Sequence, residues 1–199
     1  EKGARWVSAP KPRLRDDCYQ RDNLNELTLT NVEPIFDAAN ILRCNNDILY
    51  LVSNTGNKLG AQWLQNFLGS EYKVHTLENM YSYVHLDSTI SLLREGLCLL
   101  NPERVNEYNI PEPLKSWDKI WCSDMVDIGY YPNYNHASIW VGINLLSLNS
   151  NLVICDENQI ELHKQLYKNN VEVIPMRLRH ARTLGGSFHC VTLDTWRED

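Results

Sequence analysis

The residues best suited to do chemistry lie near the end of the chain, in the run 184–190, which reads Leu-Gly-Gly-Ser-Phe-His-Cys. Its two glycines remove the steric cost of a positive φ and let the backbone approach a ligand closely. They lead to Cys190, whose thiol is a candidate nucleophile. Such a thiol needs an acid or base within hydrogen-bond reach, and these partners are usually distant in sequence. His85, which is followed by Asp87, is the candidate partner.

A purely structural interpretation of the same run stays open. Most cysteines are small buried apolar residues, and a Gly-Gly pair is most often only a turn. Residues 191–193 (Val-Thr-Leu) are predicted to form a short strand. If the strand includes the preceding residues, His189 points away from Cys190, because successive side chains alternate along a strand. The remaining histidines are interpreted as structural: His75, His136, His163 and His180.

Length and composition exclude several classes of protein. A chain of 199 residues with 43% hydrophobic residues is long and apolar enough for a folded globular core. The net charge is -6 and no basic stripe is present, so we expect no nucleic-acid partner. No apolar run approaches the roughly 18 residues of a membrane helix, so no membrane partner is expected.

The six cysteines are scattered without a C-x-x-C pair, which argues against a zinc site or a redox dithiol. The chain is neither small nor rich in cysteine, and no signal peptide is evident. We therefore interpret the cysteines as reduced thiols of a cytoplasmic protein, mostly in its core, and expect no metal and no cofactor.

An order of strand, helix and strand occurs twice, each time followed by reactive residues. In the first copy, an apolar β-run at 48–53 precedes a helix that ends at Gly69. The strand 73–77 and then His85 complete this copy. One face of its helix carries the large apolar residues Leu59, Trp63, Leu64 and Phe67.

In the second copy, a β-run at 152–155 is followed by a helix-start signal at 156–158 and by a strand at 171–174. His189 and Cys190 come next. One face of this helix is predicted to carry Ile160, His163, Leu166 and Tyr167.

Hairpin signals accompany both copies. Residues 90–93 turn at 94–96 into 97–100, and residues 139–148 are interpreted as a β-run that turns at 149–151. The repeated unit is then ββαβ, and the fold class is α/β. Chance similarity between two strand-helix-strand segments explains the repeat about as well, because α/β proteins contain such segments routinely.

Four motifs resemble those of a known family. They are 36–40 (Phe-Asp-Ala-Ala-Asn), 84–87 (Val-His-Leu-Asp), 101–104 (Asn-Pro-Glu-Arg) and 184–190. In this order they are similar to the motifs of L-arginine:glycine amidinotransferases and related amidinotransferases of the pentein, or guanidino-group-modifying, superfamily. The resemblance covers essentially the whole chain. It implies an α/β propeller of five ββαβ modules, of which this chain supplies roughly the last three.

The resemblance also implies a role for particular residues and an activity. The activity is transfer of the amidino group from L-arginine to an amine acceptor through an amidino-cysteine, with release of ornithine. The implied roles are Cys190 as nucleophile, His85 as acid/base, Asp37 as the acidic partner of the histidine, Asp87 as the guanidinium ligand, Arg104 as the carboxylate ligand and Ser138 as part of the pocket wall.

Elementary chemistry agrees with these roles. A guanidinium is planar and permanently charged, and a carboxylate pairs with it bidentately and fixes its plane. Its central carbon is a poor electrophile, so the nucleophile must be a thiolate. A histidine can then hand a proton to the departing amine.

The acidic and basic residues among these also have simpler interpretations. Asp37 could cap a helix running through residues 38–42, and the residue pattern without the resemblance favours this. Asp87 could be a turn residue. Arg104 could be a surface charge that follows Pro102.

The resemblance sets expectations about the rest of the protein. We predict that 1–34 is a connecting segment, that 35–199 forms the ββαβ modules, and that further N-terminal modules are missing. The chain starts at Glu1 with a proline-punctuated stretch, which favours a piece of a longer chain. The pocket should then need the missing modules for completion. Members of this family commonly form homodimers, and we expect one here.

The loop before His85 bears on the acceptor. Ser82 and Val84 stand where the glycine-using enzymes have Asn and Met, and smaller residues leave more room. The acceptor is therefore glycine or a larger amine of a secondary-metabolite pathway, as in toxin-pathway relatives. Two alternatives stay open: an arginine or agmatine deiminase on the same scaffold, and a catalytically incomplete pentein binding module.

Overall fold

The computed structural model describes residues 6–20, 27–127 and 137–194. His136 and parts of the predicted segment 1–34 lie outside these ranges. The strands are β1 (Ile41–Cys44), β2 (Asp47–Leu51), β3 (Lys73–Leu77), β4 (Ile90–Arg94), β5 (Leu97–Leu100), β6 (Asp118–Trp121), β7 (Leu146–Asn149), β8 (Leu152–Asp156) and β9 (Glu172–Met176). The α-helices are α1 (Lys58–Leu68), α2 (Ile160–Lys168) and α3 (Arg179–Thr183), and the 3₁₀ helices are Asp16–Cys18, Ala38–Asn40, Gly69–Glu71, Glu112–Leu114 and Ile139–Ile143.

Three small sheets repeat one strand order: β1-β2-β3, β4-β5-β6 and β7-β8-β9. In each sheet the first two strands form an antiparallel hairpin, and the third strand runs parallel to the middle one. A parallel third strand needs a crossover connection, which contains α1 in the first sheet and α2 in the third. The predicted α/β class is confirmed.

The middle sheet is a third copy that the sequence pattern did not show. Its crossover between β5 and β6 contains only the 3₁₀ helix Glu112–Leu114. Pro111 and Pro113 remove backbone donors there, so an α-helix and its periodicity are absent. The three sheets are separate in the described ranges, with no strand shared between them. Their place in a propeller of five modules stays a prediction.

The first helix forms as its sequence predicts. The Asn57 side chain caps α1 by accepting a hydrogen bond from the Gly60 N–H at 2.9 Å. Gly69 ends the helix with a φ of 72°, a left-handed conformation that favours glycine. The predicted stop at Gly69 is therefore confirmed.

The predicted face of the second helix needs correction. Leu162, His163 and Leu166 are buried in α2, whereas Ile160 and Tyr167 are 53% and 54% exposed. At about 100° per residue, Ile160 and Tyr167 lie about 20° apart, beyond the edge of the buried stripe that His163 forms. His163 is structural, as predicted, because its Nε2 lies 2.9 Å from the buried carbonyl of Asp156.

The predicted β-run at 139–148 is wrong over its first half. Residues Ile139–Ile143 form a 3₁₀ helix, and only Leu146–Asn149 pairs as a strand. The Ser138 hydroxyl accepts a hydrogen bond from the Trp140 N–H at 3.2 Å and starts the helix. Four consecutive residues, 140–143, are then buried, which does not fit a strand with one solvated face.

The core of the molecule is organised around β5, whose four residues are all buried. Leu97 and Leu99 belong to the apolar cluster that includes the third sheet. Cys98 and Leu100 belong to the cluster that includes the first sheet. Because side chains alternate along a strand, β5 packs the two flanking modules on its opposite faces.

A cleft of about 800 Å³ opens between the first strands of the three sheets, β1, β4 and β7. Asp87 and His189 lie on its wall. In the part of the chain described by the structure, no helix combines the length and apolarity required to cross a bilayer.

We predict that Leu99→Ala lowers the free energy of unfolding by about 2–5 kcal/mol, because it leaves a cavity at a fully buried position between two modules. Urea unfolding followed by circular dichroism measures this. Leu148→Ala, at a position that is 45% exposed, is the control and should cost less than about 1 kcal/mol. Equal losses in the two variants would contradict the packing role of β5.

Candidate active site

Cys190 lies on a turn that the two glycines make possible. Gly185 has a φ of 94°, which favours glycine. Gly186 lies against the cysteine side chain, since a Cβ added there would be 3.3 Å from the Cys190 Cβ and 3.9 Å from its Sγ. The absence of a side chain at Gly186 thus leaves room for Cys190, and a close approach of the backbone to a ligand stays a prediction.

The predicted strand at 191–193 is wrong, because the main chain there bonds to itself. The Val191 N–H donates to the Ser187 carbonyl at 3.2 Å, and the Thr192 N–H donates to the His189 carbonyl at 3.2 Å. Donors that a strand would offer to a neighbour are satisfied within the turn.

Asp87 brings the two terminal residues of the motif to one carboxylate oxygen. Its Oδ2 lies 3.1 Å from the His189 Nδ1 and 3.6 Å from the Cys190 Sγ. His189 therefore does not point away from Cys190, as a strand would require. Asp87 itself is only 6% exposed, so its charge acts in a weakly solvated place.

His85 is paired with Asp37, as the resemblance implies. Its Nε2 lies 3.4 Å from the Asp37 Oδ2. The other carboxylate oxygen of Asp37 accepts a hydrogen bond from the Ala39 N–H at 2.7 Å. Asp37 thus also caps a helix, but that helix is the single 3₁₀ turn Ala38–Asn40, and β1 follows directly instead of a longer helix.

The main chain fixes His85 in an unusual conformation. Its φ is 50°, which is uncommon for a residue with a side chain. The His85 N–H donates to the buried Asn40 Oδ1 at 3.1 Å, and the Leu86 N–H donates to the Ala39 carbonyl at 2.8 Å. Leu86 is fully buried, so this loop is anchored between its two polar residues. Such conformations persist only where the surroundings hold them.

The electrostatics favour a protonated His85. The hydrogen bond that His85 donates to Asp37 is the main cause that raises the pKa of His85, and the charges of Asp37 and Asp87 add to it against the effect of burial. Burial alone would raise the pKa of Asp37, but hydrogen bonds from His85, Thr55 and the main chain lower it on balance.

The resting thiol is protonated. Desolvation and then the negative charge of Asp87 raise the pKa of Cys190 to about 11. Cys190 is nevertheless exposed, whereas the other five cysteines are buried. A thiolate needs a nearby positive charge to form here at neutral pH.

Arg104 supports the segment that follows Asp87. Its Nη1 donates to the Ser88 hydroxyl at 3.0 Å and to the Thr89 hydroxyl at 2.9 Å. Its guanidinium carbon lies 3.5 Å from the centre of the Tyr81 ring, within range of a cation–π interaction. Arg104 is thus part of the site's framework, and its role toward a substrate carboxylate stays a prediction.

Ser138 is linked to the Cys190 turn through the 3₁₀ helix Ile139–Ile143 that follows it. It is exposed and starts the 3₁₀ helix that leads to Asn144. Its carbonyl accepts a hydrogen bond from the Arg182 Nη1 at 3.3 Å. Its place in a pocket wall stays a prediction.

Sequence reasoning missed two buried asparagines. Asn40 holds the His85 main chain, and Asn144 accepts a hydrogen bond from the Cys190 N–H at 3.2 Å. The available signal was an amide inside an apolar run, as in residues 139–146. Among the described residues, no group of three or more His, Cys, Asp or Glu side chains could hold a metal ion.

Comparisons with known proteins find amidinotransferases, although no family model matches the chain. Inosamine-phosphate amidinotransferase 1 of Streptomyces glaucescens is 52% identical over 195 residues. A solved structure of inosamine-phosphate amidinotransferase from Streptomyces griseus aligns with a TM-score of 0.94 at 50% identity. A solved amidinotransferase of the saxitoxin biosynthetic pathway from Microseira wollei aligns with a TM-score of 0.85 at 35% identity.

The chain belongs to the amidinotransferase family. The alignments cover 98%, 99% and 100% of the chain but 56%, 57% and 59% of the respective relatives. The chain thus spans a little over half the length of these family members.

We predict that Asp87→Asn speeds alkylation of Cys190 by iodoacetamide at pH 8. Removing the carboxylate charge lowers the thiol pKa from about 11, and the thiolate fraction rises on the order of tenfold or more. Peptide mass spectrometry measures the rate at Cys190. Asp47→Asn, whose carboxylate pairs with His75, is the control and should alkylate like the wild type. An unchanged rate in Asp87→Asn would contradict the assigned cause.

We predict that Asp37→Asn lowers the pKa of His85, because it removes the hydrogen bond and charge that raise it. The imidazolium then loses its proton at a lower pH than in the wild type. NMR titration of the His85 ring protons measures this, with Asp47→Asn again as the control. A titration curve that does not move would show that Asp37 does not control the imidazole.

Proposed function

We propose that the protein transfers the amidino group of L-arginine to an amine acceptor through an amidino-Cys190 intermediate. One observation carries the proposal: the buried Asp87 carboxylate contacts the Cys190 thiol, and its charge also acts on His85, which pairs with Asp37. This arrangement suits a planar cation that must be held and attacked at its central carbon. The amidinotransferase relatives favour the same reaction over hydrolysis.

Substrate binding creates the nucleophile in this mechanism. The arginine guanidinium pairs with Asp87 and neutralises the charge that raises the pKa of Cys190 to about 11. The cation also lies beside the sulfur and favours the thiolate directly. The thiol proton leaves to solvent, and the site gains one cation as it loses one proton.

In the chemical steps, the Cys190 sulfur makes and breaks the covalent bond and His85 transfers the proton. The thiolate forms a bond to the guanidinium carbon, the carbon–nitrogen bond to the departing amine breaks, and His85 gives that nitrogen its proton. Ornithine leaves, and the amidino group stays on Cys190. The acceptor amine then attacks, its proton passes to the neutral imidazole, and the carbon–sulfur bond breaks. Asp37 holds the His85 ring in place in both protonation states.

Arg104 and Ser138 are assigned to the parts of the arginine substrate other than its guanidinium group. Arg104 makes its described hydrogen bonds through Nη1, and its remaining guanidinium nitrogens are assigned to the α-carboxylate of the substrate. Ser138 is assigned to the pocket wall. Completion of the pocket by modules beyond 35–199, a homodimer and a cytoplasmic location stay predictions.

The acceptor that we propose is an amine larger than glycine. Ser82 and Val84 are smaller than the Asn and Met that the resemblance gives for the glycine-using enzymes. Their loop is held by the Asn54 N–H, which donates to the Ser82 carbonyl at 2.9 Å. Tyr83 in the same loop is 64% exposed and available to a ring-sized acceptor. The first relative is named for inosamine phosphate, an acceptor of this larger class.

We predict that the full-length protein, with the modules that complete its pocket, carries the label on Cys190 after incubation with L-arginine labelled at the guanidino carbon. Mass spectrometry after acid quenching detects this label. Added amine acceptor should discharge the label as a new guanidino compound, together with ornithine. Asp87→Asn should lower labelling at least about tenfold, because the guanidinium loses its carboxylate partner.

Cys190→Ser is the control for the position of the label and should carry none. Citrulline and ammonia as products would favour a deiminase instead. The absence of both label and products would favour a binding module. Competition among glycine, lysine and an inosamine phosphate tests the acceptor, and a strict preference for glycine would contradict the larger class.

A further inference from the structure

We propose that Asn144 is a positioning residue for Cys190, which holds the cysteine main chain with its amide oxygen and presents its buried amide N–H to the thiolate. The inference deepens and rests on the proposed function, since it concerns the same nucleophile. Asn144 lies in the link between the 3₁₀ helix Ile139–Ile143 and β7, far from Cys190 in sequence.

Two hydrogen bonds attach the catalytic turn to Asn144. The Cys190 N–H donates to the Asn144 Oδ1 at 3.2 Å. The His189 N–H donates to the main-chain carbonyl of Asn144 at 3.5 Å. One residue thus receives the consecutive N–H groups of the two residues that contact Asp87. Since 140–143 are buried, the anchor itself lies on a packed segment of the core.

The amide nitrogen of Asn144 makes no hydrogen bond in the resting protein, among the described residues. Asn144 is 1% exposed, and its Nδ2 is buried without a hydrogen-bond partner among the described residues. The amide cannot simply be flipped, because Nδ2 would then face the Cys190 N–H, donor against donor. A buried donor without an acceptor costs free energy in the resting protein. It gains an acceptor when a thiolate forms on the neighbouring cysteine.

The charges around Cys190 agree with this assignment. Asp87 faces the sulfur and raises its pKa, while His189 shares the same carboxylate oxygen. The Asn144 side chain and the Ser187 main chain act in the opposite direction and lower the pKa. Asn144 is therefore a neutral group that favours the thiolate without attracting or repelling the cationic substrate.

The test measures the pH dependence of Cys190 alkylation by iodoacetamide in the wild type, Asn144→Asp and Asn144→Ala. Asn144→Asp keeps an acceptor for the Cys190 N–H and loses the amide donor, whereas Asn144→Ala loses both. We expect both pH profiles to shift to higher pH, with alkylation at pH 9 slower by about tenfold or more.

The matched control is Asn57→Asp, which changes another buried asparagine. Both halves of the Asn57 amide are hydrogen-bonded, with Nδ2 donating to the Thr30 and Glu33 carbonyls and Oδ1 accepting from the Ile35 and Gly60 N–H groups. This variant should lower the melting temperature and leave the Cys190 profile at its wild-type position.

If Asn144 only supported the fold, its replacement would change the rate of Cys190 alkylation in the opposite direction. A loosened turn would expose the sulfur, move it from Asp87 and speed its alkylation, so faster or unchanged alkylation in Asn144→Ala overturns the proposal. Asn144→Asp is not decisive, because its new carboxylate would raise the thiol pKa by charge alone. Should Asn144→Ala fail to fold, Asn144→Leu, which also loses both halves of the amide, takes its place. The assay needs no arginine, so a wild type that never forms amidino-Cys190 would overturn the proposed function and leave this inference standing.

Discussion

The site depends on one buried negative charge, the carboxylate of Asp87. A carboxylate with so little exposure is costly unless donors or cations compensate it, and the fold offers His189 and the Cys190 thiol at a single oxygen. That partial compensation explains two properties together. The thiol is kept protonated. In the proposed mechanism, a planar cation compensates the carboxylate better than the resting residues do.

In both pairs of the site, Asp37–His85 and Asp87–Cys190, the carboxylate favours the protonated form of its partner. Asp37 keeps the proton on His85, and Asp87 keeps the proton on Cys190. In the proposed mechanism only a cationic substrate changes the second pair, so the nucleophile forms when its target is present. The raised pKa of His85 also favours the imidazolium, which is the acid for the departing amine in that mechanism. Water and neutral molecules do not change this balance, since they bring no positive charge to Asp87.

The strands and helices show where local pattern suffices. The apolar runs of β2, β3, β8 and β9 and the capped helix α1 follow from periodicity and end signals, because local propensity and burial agree there. Prediction failed where tertiary contacts decide. The middle module crosses over without an α-helix, and residues 140–143 are all buried in the 3₁₀ helix Ile139–Ile143. Hydrophobicity alone does not distinguish such a segment from a buried strand.

The sequence by itself determined the residue types of the site and their order along the chain, together with the family that this order resembles. Only the tertiary structure decided that His189 shares Asp87 with Cys190 and that Asn144 anchors the turn. The physical reason is that these partners are brought together by the packing of separate modules. Pairings between such distant residues depend on angles and registers set by the whole core, and no local pattern encodes them.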